Sequence, residues 1–171
     1  MDFRRHIAIL LALSAALLLS GCRVTYSFSG ASIPVQAKTV SVAYFPNNAP
    51  MVAPTLSSTL TDALIEKFAR QTRLQTVGEG GDLAFEGEII NYTSTPSSVT
   101  SNETASMNRL TITAKVKFTN SYEPQNNYNK SFNAFADYDA GSLLQDVQDT
   151  LIGEIVEQLV TDIFNGAVAN W

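Results

Sequence analysis

The only thiol in the 171-residue sequence is Cys22, and the only imidazole is His6. Cys22 stands directly after Leu19-Ser20-Gly21, at the end of an apolar run, Ile7–Leu19, that only Ser14 interrupts and that Arg4 and Arg5 precede. A basic start, an apolar run and small residues at its end form a secretory signal with a cleavage point between Gly21 and Cys22. The run is thirteen residues, short of the roughly 18 needed to cross the hydrocarbon core. Cleavage removes His6 with the signal, 1–21, and leaves Cys22 as the first residue of a 150-residue mature chain, 22–171.

The Leu-Ser-Gly-Cys tetrapeptide resembles the bacterial lipobox, in which the cysteine is acylated and becomes the new amino terminus. Acyl chains, palmitate among them, then replace a transmembrane helix as the anchor. Each buried methylene contributes about 0.8 kcal/mol, so several chains hold firmly. With Cys22 blocked and His6 gone, Ser-His-Asp and Cys-His catalysis and His- or Cys-ligated metals are excluded. We expect no catalytic residue, no metal and no cofactor.

Two further groups carry residue types that could do chemistry. Glu86 and Glu88 are two apart and so share a face of a strand, the minimal spacing for paired carboxylates, but such neighbours are commonplace on solvated strands. Gly78-Glu79-Gly80-Gly81-Asp82 is glycine-rich like a phosphate cradle, yet lacks the Lys-Ser/Thr of a P-loop and precedes a strand pattern instead of a helix. Removing Asp2, Arg4 and Arg5 leaves 9 basic and 15 acidic side chains. That acidic balance speaks against a nucleic-acid partner.

The elements that must position any site follow from periodicity. Thr39–Phe45 alternates as a strand, with Val40, Val42 and Tyr44 on one face. After the turn residues Pro46–Pro50, Leu56, Leu60, Leu64 and Phe68 recur at four-residue steps, giving an amphipathic helix over about 54–72 with Pro54 in its first turn. Leu83–Thr95, Asn108–Ser121 and Tyr128–Tyr138 read as three strands. In the second, Leu110, Ile112, Ala114, Val116 and Phe118 alternate with Thr111, Thr113, Lys115, Lys117 and Thr119, so one face belongs to a core and the other is wet or meets a partner. Leu143 to about Val168 carries two adjacent apolar stripes, broad enough to lie across a sheet, with Asp139–Ser142 as the turn before it.

The order β-α-β-β-β-α predicts an α/β (α+β) two-layer sandwich. Two helices cover one face of a four-stranded mixed sheet, or a five-stranded one should Val24–Gly30 join it, and the other face stays open. Residues 22–38 hold the lipidated cysteine and a tether or initial strand, and 39–171 form one domain.

Several stretches, Tyr26–Pro34, Thr39–Pro50, Gly81–Ile89, Asn108–Asn120 and Glu157–Trp171, resemble the lipopolysaccharide-assembly lipoprotein family (LptE) of Gram-negative bacteria, in its shorter branch. The resemblance implies a lipoprotein on the periplasmic side of the cell outer membrane. It would plug a large outer-membrane β-barrel that serves as the lipopolysaccharide translocon, assist its assembly and bind lipopolysaccharide. Arg23, following Cys22, is compatible with outer-membrane sorting. Basic residues are implicated in lipopolysaccharide contact in the family, and the open face of the clean strand offers Arg109, Thr111, Thr113, Lys115 and Lys117 as candidates for lipid or barrel contact. Lysines also alternate on any exposed strand, which is the bland reading of that row. A different class of function, a structural or surface-associated periplasmic lipoprotein that binds another envelope partner without catalysis, is separated from this one by protease accessibility on intact cells.

Overall fold

The computed structural model describes residues 33–51, 53–97 and 106–168. The signal segment, Cys22 and Val24–Gly30 lie outside the described residues. Five strands and two long helices follow one another as β1 (Thr39–Val42), α1 (Leu56–Gln71), β2 (Gln75–Val77), β3 (Leu83–Ser97), β4 (Met107–Asn120), β5 (Tyr128–Asp139) and α2 (Leu144–Val168). A short 3-10 turn, Pro124–Asn126, joins β4 to β5. The sheet order is β2-β1-β3-β4-β5, with β1 parallel to both of its neighbours and β3-β4-β5 an antiparallel meander.

The expected architecture is therefore present, with the fifth strand supplied by β2, a three-residue piece too short for period-two alternation to reveal. β1 is shorter than the alternation suggested. After Val42 the chain follows β3 only intermittently, through Ala43 N–H to Phe85 O (2.8 Å) and Ile89 N–H to Pro46 O (2.9 Å). Four steps on β3 (Phe85 to Ile89) face five on this chain (Val42 to Asn47). The extra residue breaks the alternation, so Phe45 is fully buried and Tyr44 is 62% exposed, the reverse of the expected placement of Tyr44 in the core.

The helices form as the spacing dictates. Leu56, Leu60, Leu64 and Phe68 have no exposure at all. α1 begins two residues after Pro54, with Ser58 and Thr59 hydroxyls donating to Thr55 O. Both stripes of α2 are covered: Leu151, Ile155, Leu159 and Ile163 in one, Ile152, Val156, Val160, Phe164 and Val168 in the other. Its 25 residues reach about 38 Å at the usual rise. Between helices and sheet an aromatic row runs from Phe68 of α1 across Phe85, Phe118 and Tyr128 of the sheet, with successive ring centroids 4.8–5.2 Å apart. Burial raises the Tyr128 hydroxyl well above the ordinary tyrosine range, and that hydroxyl donates to Ile163 O at 3.3 Å.

A bulge at Ile90 divides β3. Ile89 pairs with Ala114 and Asn91 with Thr113, leaving Ile90 without a partner on β4 and 39% exposed. Before the bulge Phe85 and Ile89 point into the core; after it Tyr92 does. The extra residue shifts the inward parity by one, as the period of two requires.

Candidate functional site

The face of the sheet away from the helices is built from alternate residues of β3, β4 and β5, and the candidates named from sequence all lie there. Register places Arg109 opposite Asp137, Thr111 between Thr93 and Phe135, and Thr113 between Asn91 and Asn133. Lys115 lies between Glu88 and Ser131, and Lys117 between Glu86 and Asn129. Gly21 and Cys22 fall outside the described residues.

What the sequence did not show is that each cation on this face lies directly across from a carboxylate. Arg109 donates two parallel hydrogen bonds to Asp137, Nε to Oδ1 at 2.7 Å and Nη2 to Oδ2 at 2.8 Å. Its guanidinium also lies 3.7 Å from the centroid of the Phe135 ring, one step along β5 on the same face. The bidentate contact holds the Asp137 carboxyl below its ordinary range. Lys117 reaches Glu86 at 3.1 Å. Lys115 faces Glu88, which accepts instead from Asn48 Nδ2 at 2.8 Å. The carboxylates weighed as a catalytic pair are thus engaged with a lysine and an amide. The Arg109–Asp137 pair is about a third exposed and the Lys117–Glu86 pair more than half, so each is worth at most about 1 kcal/mol. Their consequence is a face on which each of Arg109, Lys115 and Lys117 has a carboxylate directly across from it, with Asp139 a further acid at the end of β5. Between the charged ends runs a neutral patch of Asn91, Thr93, Thr111, Thr113 and Asn133.

Asp137 and Phe135 escaped the sequence reading because β5 alternates less cleanly than β4. Its single signal was the spacing of Asn133, Phe135 and Asp137 against the buried Ala134, Ala136 and Tyr138.

The glycine-rich segment has a structural task on this face. β1 lies between β2 and β3, so residues 78–82 must cross β1 to connect them. They cross on the open side, where Thr39 and Ser41 point. Gly81 N–H donates to Ser41 Oγ (3.1 Å) and Asp82 N–H to Thr39 Oγ1 (2.9 Å). A Cβ on Gly81 would stand 2.5 Å from Ser41 N and 2.7 Å from Val40 C, which only glycine avoids. Asp82 then accepts from Lys38 N (2.8 Å), Thr39 N (3.0 Å) and Thr39 Oγ1 (2.9 Å). The Lys38 bond is the chief reason its carboxyl sits below the ordinary range. The open face is consequently strapped over β1, where Ser41 is buried, and available over β3–β5.

Among the described residues no group of His, Cys, Asp and Glu gathers to hold a metal, and no helix is long and apolar enough to cross a membrane. A family model described as LptE, lipopolysaccharide-assembly, matches residues 37–166. No curated protein matches the sequence. Among solved structures, the hypothetical protein CT253 from Chlamydia trachomatis is 10% identical, with a TM-score of 0.50 over 78% of this chain and 100% of that one. A minor lipoprotein from Acinetobacter baumannii is 14% identical, with a TM-score of 0.46 over 77% of this chain and 96% of that one. The rare lipoprotein B from Shewanella oneidensis is 13% identical, with a TM-score of 0.47 over 73% and 91%. At 10% identity the chlamydial likeness speaks to the fold alone.

Proposed function

The chain belongs to the LptE lipopolysaccharide-assembly family, and from that premise we propose that it is an outer-membrane lipoprotein, held by acyl chains on Cys22 on the periplasmic side. There it pairs with and plugs the large β-barrel that delivers lipopolysaccharide to the outer leaflet. The observation that carries this reading is the family match, which spans the described sandwich from just before β1 into the last turn of α2. The open face supports it. Threonines, asparagines and balanced ion pairs suit a wet, hydrogen-bonding interface of the kind a polar barrel lumen offers. Arg109, Thr111, Thr113, Lys115 and Lys117 are the residues we assign to barrel or lipopolysaccharide contact. Because Arg109 and Lys117 are already paired, Lys115 is the cation most available to a phosphate. Family membership supports a partner role over a catalytic one.

The test is affinity purification of the tagged protein from detergent-solubilised outer membranes. Recovery of a large β-barrel in stoichiometric amount is the expected result. Recovery without any barrel, with normal surface lipopolysaccharide after depletion, would overturn the reading.

A further inference from the structure

β5 is an outer strand of the sheet, and among the described residues no strand lies beyond it. Ala140 N–H donates to Ser106 O, one pair past Met107 and Asp139 on the β4–β5 ladder. Even-numbered residues of β5 therefore turn their N–H and C=O toward β4, and odd-numbered ones turn theirs outward. Phe135 O, on the outer side, accepts from Gln158 Nε2 of α2 at 3.4 Å, which closes the edge at that level. From there back to Tyr128 the edge is open, with Asn129, Ser131 and Asn133 exposed. On the helix side of that stretch Tyr128 and Phe132 are half-buried and Lys130 is exposed, whereas Ala134, Ala136 and Tyr138 beyond it are buried.

We propose that this open stretch takes residues 24–29 of the same chain as a sixth strand, antiparallel to β5. Val24-Thr25-Tyr26-Ser27-Phe28-Ser29 alternates apolar and polar without exception, the pattern of a half-buried strand. Its six residues match the six of β5, 128–133, that precede the level closed by Gln158. The faces match too. Val24, Tyr26 and Phe28 flank Tyr128, Lys130 and Phe132, where the Lys130 ammonium already lies 4.6 and 4.8 Å from the two ring centroids. Thr25, Ser27 and Ser29 continue the wet face beside Asn129, Ser131 and Asn133. The direction follows from the connection, because β1 and β5 start at the same end of the sheet. Val40 pairs with Leu83 and Leu83 with Asn120, whose N–H donates to Asn127 Oδ1 just before β5. Four strand spacings, about 19 Å in all, separate β1 from a strand outside β5. The ten steps from Ser29 to Thr39 reach roughly 33 Å when extended, enough to span that distance with the Pro34–Ala37 turn included. The opposite edge is also within reach, but β2 has three residues, and Thr76 alone, opposite the buried Val40, faces the helix side. An apolar face finds no counterpart there.

The inference goes beyond the proposed function and needs neither the acyl chains nor the barrel, so its failure leaves that function standing. The test is residue-resolved amide exchange on the whole mature protein, purified in detergent without a partner. Odd-numbered residues of the added strand bond to odd-numbered residues of β5, and proline has no N–H to give. The amides of Asn129, Ser131 and Asn133 are therefore expected to exchange roughly tenfold or more slowly in the unaltered protein than in a Ser27→Pro variant. The Ala134 and Ala136 amides, which face β4, should stay slow in both and so report that β5 is intact. Fast exchange at 129, 131 and 133 in the unaltered protein overturns the proposal, and so does protection that appears only when another protein is added. Protection that Ser27→Pro leaves unchanged overturns it as well, and a dimer in sedimentation would then give the edge to a second copy.

Discussion

The Phe45 ring occupies the space in which Gly87 would carry a side chain: a Cβ there would lie 2.5 Å from Phe45 Cε1 and still closer to the Lys115 carbonyl oxygen. The irregular chain after β1 brings the ring to that spot, and the Phe45 N–H is satisfied by Thr61 Oγ1 on α1 (3.1 Å). Gly87→Ala therefore forces both a ring and a strand backbone to shift. We expect a loss of about 1–3 kcal/mol, the usual cost of overpacking, read as a lowered midpoint in urea unfolding. Phe45→Leu will not rescue it, since the backbone oxygen remains.

Leu159 has no exposure and lies in the centre of α2. Leu159→Ala is expected to cost about 2–5 kcal/mol. An unchanged thermal midpoint would show that α2 does not bury the face described here.

Much of this was legible in advance. Four-residue steps and strict alternation are strong signals because one face of each element is fully covered, as in α1 and β4. The parts that escaped depend on distant partners. Gln75–Val77 becomes a strand because β1 offers it an edge. Tyr44 and Phe45 exchange roles because β3 fits one residue fewer than the chain beside it. The pairing of Arg109 with Asp137 needed the register of two strands joined by a 3-10 turn, which no local pattern encodes.

The same register alters how the open face must be tested. Reversing Lys115 and Lys117 to glutamate would set new carboxylates directly opposite Glu88 and Glu86, so a folding cost of about 0.2–1 kcal/mol per pair accompanies any loss of binding. The control exchanges all four charges, adding Glu86→Lys and Glu88→Lys, which restores opposite charges at both cross-strand positions. We expect the double reversal to weaken barrel recovery or lipopolysaccharide binding. If this face works through the position of its charges, the fourfold exchange regains stability without regaining binding. Undiminished co-purification and lipopolysaccharide binding by the double variant would remove this face from the function.

Asp82 predicts an acid response. Its carboxyl is depressed by the Lys38 and Thr39 donors, so its contribution is fully present above the ordinary aspartate value, about 3.9. That contribution is lost as pH falls through the lower folded value. Asp82→Ala is expected to be less stable at neutral pH and to show a shallower decline below about pH 4. Parallel acid titrations of unfolding midpoints, displaced by a constant amount, would exclude that role.

Cys22→Ser removes the residue to which we assign the lipid. The variant should be found unprocessed or released to the soluble fraction. Its persistence in the outer membrane of cells lacking the barrel would refute acylation as the anchor.

Ile90 acts as a counting mark for any comparison of this chain with its relatives. On β3 the open face is made by even-numbered residues before it, Glu86 and Glu88, and by odd-numbered ones after it, Asn91, Thr93 and Thr95. A relative without the extra residue, aligned by constant offset, would pair an open-face side chain with a buried one along one half of the strand. Functional residues can thus be exchanged between family members on this strand only after the bulge has been located in both. Deleting Ile90 would set Ile89 and Asn91 consecutively opposite Ala114 and Thr113, removing the bulge while leaving Asn91 on the open face and Tyr92 in the core.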